Sequence, residues 1–244
     1  MTYQEAILDF RRAIGGIESN TILYDRYGQP FHSFHRAEKR LVVPLQEISR
    51  PLQLSVLAAE DARFFQHRGV DTRRILSALW TDLVEGGWRQ GASTITQQLV
   101  KLTLLTPEKT LTRKFREAGI AISLELKFSK AQLLEHYLNT IYFGHGNYGI
   151  EQAARIYFDR NASELGLAEA SLLASLIKKP EVYLRIPDSL SAEAIHFPPE
   201  ALRELLSRRR RVLAHLQELG WVTPEAVQQA LSTPVRMRLP KRSG

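Results

Sequence analysis

Along most of this chain, apolar residues recur at intervals of three and four, with polar residues between them. That is the period of helices with one buried face. Tyr3, Ile7, Phe10 and Ile14 predict a short amphipathic helix over 3–14. Ile22 to Phe34 alternates instead and turns at Tyr27-Gly28, which predicts a small hairpin. Val42 to Leu45 reads as one more short strand, with Pro44 marking an edge. Helical spacing then continues almost to the end. A helix is predicted over 54–66, closed by Gly69, and another from Arg73 to Trp88. A third opens at Ser93, read as its N-cap, with Ile95, Leu99 and Leu102 as its buried stripe.

Further on, Thr106-Pro107-Glu108 is a helix start with proline at the first helical position. Ser129 and Gln132 form a capping box before a helix that buries Leu133, Leu134, Tyr137, Leu138 and Ile141. A glycine-rich loop, 142–149, carries His145, read as solvated or structural. Helices follow over 150–158 and 165–177, and Lys178-Lys179-Pro180 stops the second. An irregular crossing over 181–199 leads to a helix from Arg203 to Leu219, ended by Gly220. Thr223-Pro224-Glu225 starts a last short helix. The fold expected is mainly α with a short β-hairpin lead-in. Residues 1–40 form the lead-in, 41–235 the main domain and 236–244 a tail.

Composition narrows the chemistry. The chain has 244 residues, 44% of them hydrophobic, enough for a real core. Cysteine is absent, which excludes disulfides, thiol catalysis and thiolate metal sites. A net charge of +7 suits anionic partners, whether nucleic acid, an acidic membrane face or a phosphorylated substrate. The run Arg208 to Arg211 lacks the interleaved aromatics or docking motif of a nucleic-acid reader, so no nucleic-acid partner is expected. No run reaches the length of a membrane span, and the first residues are not a signal peptide.

Candidate chemistry lies in three stretches. In the first, Glu60 and Asp61 precede Phe64, Phe65 and His67. If the helix runs through 66, Glu60, Phe64 and His67 share a side, and a carboxylate among aromatics acquires a raised pKa. A plain surface pair at a helix end is the simpler reading of that stretch alone. In the second, Thr94, Gln97, Gln98 and Lys101 make a strip of donors ending in a cation, suited to sugar hydroxyls and a phosphate, or else a solvated face. In the third, Lys109, Arg113, Lys114 and Arg116 surround Glu117, with Arg113 and Glu117 four apart. This is a salt-bridged surface or a diphosphate cradle. The helix at 75–88, with tryptophans and arginines beside its apolar face, suits a protein core and a membrane surface equally.

Taken together, these segments resemble the peptidoglycan glycosyltransferase domain of glycosyltransferase family 51, found in monofunctional transglycosylases and class A penicillin-binding proteins. The matching pieces are Glu60-Asp61…Phe64…His67-Arg68-Gly69, Gly91 to Gln98 with Lys101, Arg113-Lys114…Glu117, and Leu133-Leu134-Glu135…Tyr137-Leu138-Asn139. Tyr142-Phe143-Gly144, Tyr148-Gly149-Ile150 and Ala168-Glu169-Ala170…Leu173-Ala174 continue the pattern. The resemblance implies a lysozyme-like fold of two lobes, a head and a membrane-facing jaw, with 75–88 in the jaw. It implies polymerisation of lipid II into glycan strands by inverting transfer, with Glu60 as general base and Glu117 assisting near the leaving diphosphate. Lys101, Lys109, Arg113 and Lys114 would hold that diphosphate. Ser93, Thr94, Gln97 and Gln98 would line the cleft, and Asp61, Phe64 and His67 are carried over as substrate-binding positions.

Where the family commonly has asparagine, glycine and arginine, this chain has Leu102, Ala92 and Lys109. No metal-ligand spacing appears, so no cofactor is required; Asp61 and the glutamates are the acids able to share a divalent cation, Mg or Mn, with a substrate diphosphate. The expected partners are lipid II, the growing lipid-linked strand, the membrane surface and other cell-wall synthesis proteins such as a transpeptidase. The family's usual N-terminal membrane helix is absent. The place expected is therefore the outer, periplasmic face of the bacterial cytoplasmic membrane, held peripherally or by a tether this chain lacks. A lipid II-binding scaffold of impaired catalysis and a lysozyme-like lytic enzyme remain the alternatives.

Overall fold

The computed structural model describes residues 5–10, 21–24, 30–34, 41–77, 93–104, 110–184 and 199–238. Residues 5–10 are helical and bury Ala6, Ile7 and Phe10, as the lead-in spacing predicts. Strands β1 (Thr21–Tyr24) and β2 (Pro30–Phe34) pair antiparallel, Thr21 opposite Phe34, with one irregularity between Leu23 and Tyr24. The two strands of the expected hairpin are therefore present, and its turn at Tyr27-Gly28 lies outside the described residues.

The rest is helical. In chain order the helices are α1 (Arg50–Glu60), α2 (Ile95–Leu104), α3 (Leu111–Glu125), α4 (Lys130–Thr140), α5 (Ile150–Phe158), α6 (Leu167–Leu176), α7 (Pro180–Tyr183), α8 (Pro199–Glu218) and α9 (Pro224–Ser232). α1 packs on α6 and α8, and α2 packs on α3 and α4. Leu52, Val56, Leu99, Leu124, Leu138, Tyr157 and Leu173 meet in the main core. A smaller cluster joins Ala58 of α1 to Val212, Leu213 and Leu216 of α8 and Val227 of α9.

Caps set several boundaries. The Ser129–Gln132 capping box opens α4, and all five of the predicted apolar positions, Leu133, Leu134, Tyr137, Leu138 and Ile141, are buried. Thr223 caps α9 through the Ala226 N–H. Gly220, with φ +67, follows the end of α8.

Other expectations are corrected. The helix predicted over 54–66 stops at Glu60, because Asp61 leaves helical geometry (φ −158, ψ 74) and sends its side chain elsewhere. Phe64–Gln66 is a separate 3-10 turn, so Glu60, Phe64 and His67 do not share a helix face. Val42–Leu45 is no strand. The side-chain amide of Asn139 satisfies both the Val43 N–H and its carbonyl, and Pro44 opens a 3-10 turn at Leu45–Glu47. The cap of α2 is Thr94, not Ser93: its hydroxyl accepts from the Gln97 N–H while the Gln97 side chain accepts from the Thr94 N–H. Leu102 is exposed, away from the stripe of Ile95 and Leu99. Pro180 opens α7 as well as ending the previous run. Residues 72–77 are helical; the remainder of the predicted 73–88 helix, Ala92, the Thr106-Pro107 start, Lys109 and the tail past Arg238 lie outside the described residues.

Candidate active site

Glu60 is the last residue of α1, and its carboxylate receives a donor on each oxygen. Arg208 Nη2, from the middle of α8, lies 2.9 Å from Oε1, and Gln98 Nε2, one turn into α2, lies 3.1 Å from Oε2. The orphan carbonyl that any helix end presents is taken by Arg74 Nη1 at 2.9 Å. Only 13% of the Glu60 side chain is exposed. Burial pushes its pKa above the ordinary carboxylate value; Arg208, the Gln98 hydrogen bond, Lys178 and Arg74 oppose this in decreasing order without cancelling it. A carboxylate whose pKa is raised and which still accepts hydrogen bonds is equipped to take up a proton.

The next residue fixes the scaffold. Asp61 is buried, and its carboxylate accepts from the Ile95 N–H at the start of α2 and meets His67 Nε2 at 3.0 Å. A helix N-terminus presents unpaired N–H groups and partial positive charge, so an aspartate there is satisfied locally. Thr94 donates to the Gly69 carbonyl at 2.6 Å and ties the same loop to α2. Gly69 has φ +85, and a Cβ there would stand 2.7 Å from the Ile122 nitrogen of α3. Loop 61–69, α2 and α3 are thus locked together, and Gln98 is aimed at Glu60 as a result.

A second polar cluster sits where the chain enters α2. Lys114 Nζ donates to Ser93 Oγ at 2.7 Å and to Glu117 Oε1 in a close ion pair. Glu117 is buried, whereas Lys114 is half-exposed. Gln98, in the first turn of α2, and Ser93, two residues before that helix, bring the N-terminal end of α2 to both carboxylates. Arg113 is partly buried and its Nε has no hydrogen-bond partner among the described residues. Lys101 is exposed at the C-terminal half of α2.

These placements sort the predicted site residues. Glu60 with Gln98, and Ser93 with Lys114 and Glu117, form two hydrogen-bonded groups at the start of α2. Asp61, His67, Thr94 and Gln97 are buried and spent on bracing α2. Phe64 is fully buried beneath Lys130, whose Nζ stands 4.3 Å from the ring centroid. The expected Arg113–Glu117 pair is replaced by Lys114–Glu117, three apart on the same helix. His145, read as solvated or structural, is tied to the fold: its Nε2 meets the Leu184 carbonyl at 2.5 Å. Among the described residues no three His, Asp or Glu side chains converge as a protein-built metal site needs. No described helix is long and apolar enough to cross a membrane.

Arg208 and Arg74 were not singled out from the sequence. The four-arginine run resolves into separate roles. Arg209 is buried against Ser171 Oγ and the Ala230 carbonyl, while Arg208 faces Glu60. Leu205, Arg209, Val212 and Leu216 follow helical spacing, a signal that one arginine of the run faces inward. No comparable signal joins Arg208 to a glutamate 148 positions away.

A family model described as transglycosylase matches residues 27–217. Penicillin-binding protein 1A of Streptococcus oralis is 39% identical over 202 residues, covering 82% of this chain and 30% of that protein. Penicillin-binding protein 2D of Bacillus subtilis is 44% identical over 167 residues, 68% of this chain and 24% of that protein. Penicillin-binding protein 1A of Aquifex aeolicus is 38% identical over 216 residues, covering 88% and 28%. The chain thus spans less than a third of the length of these curated relatives.

Proposed function

The chain belongs to the transglycosylase family, and on that premise we propose that it polymerises lipid II into peptidoglycan glycan strands. Glu60 Oε2 or Oε1, each with a lone pair left after its one donor, takes the proton from the 4-hydroxyl of the acceptor sugar. The freed oxygen attacks the anomeric carbon of the donor strand. As the new glycosidic bond forms, the bond to undecaprenyl diphosphate breaks on the opposite face, so configuration inverts. The proton ends on Glu60 and the electron pair on the leaving diphosphate. Charge gathering on that diphosphate is met by Lys114, Arg113 and Lys101, because fixed cations stabilise a developing anion most where little reorganisation is needed. Glu117 holds the Lys114 ammonium in place beside Ser93.

The observation that carries this reading is Glu60: a largely buried carboxylate of raised pKa, held by donors from α2 and α8, with Arg74 on its backbone carbonyl and a lysine–glutamate pair at the same end of α2. Asp61, His67, Thr94, Gln97 and Phe64 serve it as scaffold. We place the catalytic domain at 41–235, preceded by a lead-in and followed by a tail. It works at the outer face of the cytoplasmic membrane, with the 75–88 segment toward the lipid. The test is incubation of the chain with lipid II in detergent and separation of products on a gel. A ladder of lengthening glycan is expected; unchanged lipid II would reject the proposal.

A further inference from the structure

We infer that Tyr137 is a positioning residue for Glu60, acting through Gln98: its hydroxyl decides which end of the Gln98 amide meets the carboxylate. This rests on the reading of Glu60 as the base.

Tyr137 is fully buried on α4. Its hydroxyl donates to Gln98 Oε1 at 2.9 Å, and Gln98 Nε2 donates in turn to Glu60 Oε2 at 3.1 Å. An amide can present either its NH2 or its oxygen to a neighbour, and its two ends differ little in shape. Here the choice is made from behind. A buried hydroxyl must place its proton on an acceptor, and Gln98 Oε1 is the acceptor it meets. Burial holds the Tyr137 phenol well above its ordinary pKa, so it remains a donor. If the amide reversed, the phenol proton would lose that acceptor and the amide oxygen would confront Glu60. Two oxygens in contact repel when the carboxylate is ionised; only a protonated Glu60 could bond to a reversed Gln98. The amide orientation and the proton on Glu60 are therefore coupled. With Tyr137 in place, Gln98 faces the carboxylate as a donor and favours its ionised, proton-accepting form.

The other groups around Glu60 act on its charge directly. Arg208 comes from α8, Lys178 from the end of the α6 run, and Arg74 from the 72–77 segment. His215 of α8 meets the Ala58 carbonyl at 2.9 Å, and Asp61, the next residue in the chain, is engaged with His67 and α2. Among the described residues only Tyr137 donates to Gln98 Oε1.

The experiment compares the parent chain with Tyr137→Phe, Gln98→Met and the double variant. Glu60 is titrated by carbon NMR of glutamate labelled at the carboxyl carbon, alongside pH profiles of lipid II polymerisation. Tyr137→Phe is expected to raise the Glu60 midpoint by about 0.5–1 pH unit, a roughly 3–10-fold loss of base form on the acid limb. That loss should fall on kcat with KM unchanged. Gln98→Met should raise the midpoint too, and adding Tyr137→Phe to it should change nothing further, because the two act as one unit. An unmoved midpoint in Tyr137→Phe, or a full shift persisting in the Gln98→Met background, would overturn the inference. If Tyr137→Phe fails to fold, Gln98→Met decides alone, and an unmoved midpoint overturns it. The NMR titration needs no turnover. A shift without polymerisation keeps the relay and rejects the transferase; polymerisation without a shift does the reverse.

Discussion

The two carboxylates of the site are held in opposite ways. Glu60 draws its partners from the 72–77 segment, α2 and α8, the farthest of them 148 residues along the chain. Glu117 draws its ion pair from Lys114, three residues earlier on its own helix. One environment is a product of the whole fold, the other of helical spacing. The contrast separates two tasks. A proton acceptor near neutral pH needs desolvation, which packing elements together supplies. A grip on a charged leaving group needs a cation that still reaches solvent, which half-exposed Lys114 provides.

Perturbing the fold-built carboxylate should therefore cost more than perturbing the local one. Glu60→Gln removes the base while keeping shape and one hydrogen-bond acceptor. Its polymerisation rate should fall by roughly 10²–10⁴-fold, as loss of general base catalysis does, with circular dichroism and melting point retained. Arg208→Gln removes the largest influence opposing the raised pKa of Glu60. Its acid limb should move to higher pH, and each unit of movement costs about tenfold in base form below the limb. Arg208→Lys should recover part of that movement, which a purely structural loss would not.

Lys114→Gln leaves Glu117 buried without its countercharge. Because the lysine is half-exposed, the cost should fall between surface and buried pairs, about 1–2 kcal/mol in a urea titration. Its kinetic mark should be weaker binding of lipid diphosphates with the acid limb in place. A similar effect on the limb as in Arg208→Gln would erase the distinction between the two carboxylates.

The smallest effect concerns stability against pH. The folded state holds the Glu60 proton more tightly than the unfolded chain does. Its contribution to stability is thus fully present below the unfolded pKa and is lost as pH rises through the folded value. Glu60→Gln should flatten that part of the stability–pH curve, measured by chemical denaturation across the window above pH 4.5.

The same contrast governs what could be read from the sequence. Helices α4 and α9 announce themselves, since Ser129 with Gln132 and Thr223 with Pro224 are local signals that the structure uses as written. A cation beside Glu117 was expected as well, but the spacing pointed to Arg113, and Lys114 takes the place. The start of α2 was read one residue early: Ser93 stood as the cap, whereas Thr94 fills that place by exchanging hydrogen bonds with Gln97. The end of α1 was not legible. Nothing near Asp61 says that its carboxylate will be claimed by the N-terminus of a helix 34 residues on. Val42–Leu45 failed for a related reason: its backbone partner is the side chain of Asn139, which strand patterns do not anticipate. Local chemistry was visible, and chemistry made by tertiary contact was not.

The decisive measurement is the pH–rate profile of lipid II polymerisation by the parent chain and by Arg208→Gln. An acid limb above the ordinary carboxylate range in the parent, displaced upward in the variant, is the expected result. A parent limb at the ordinary glutamate value, or one that ignores Arg208, would contradict the assignment of Glu60 as a base tuned by the fold.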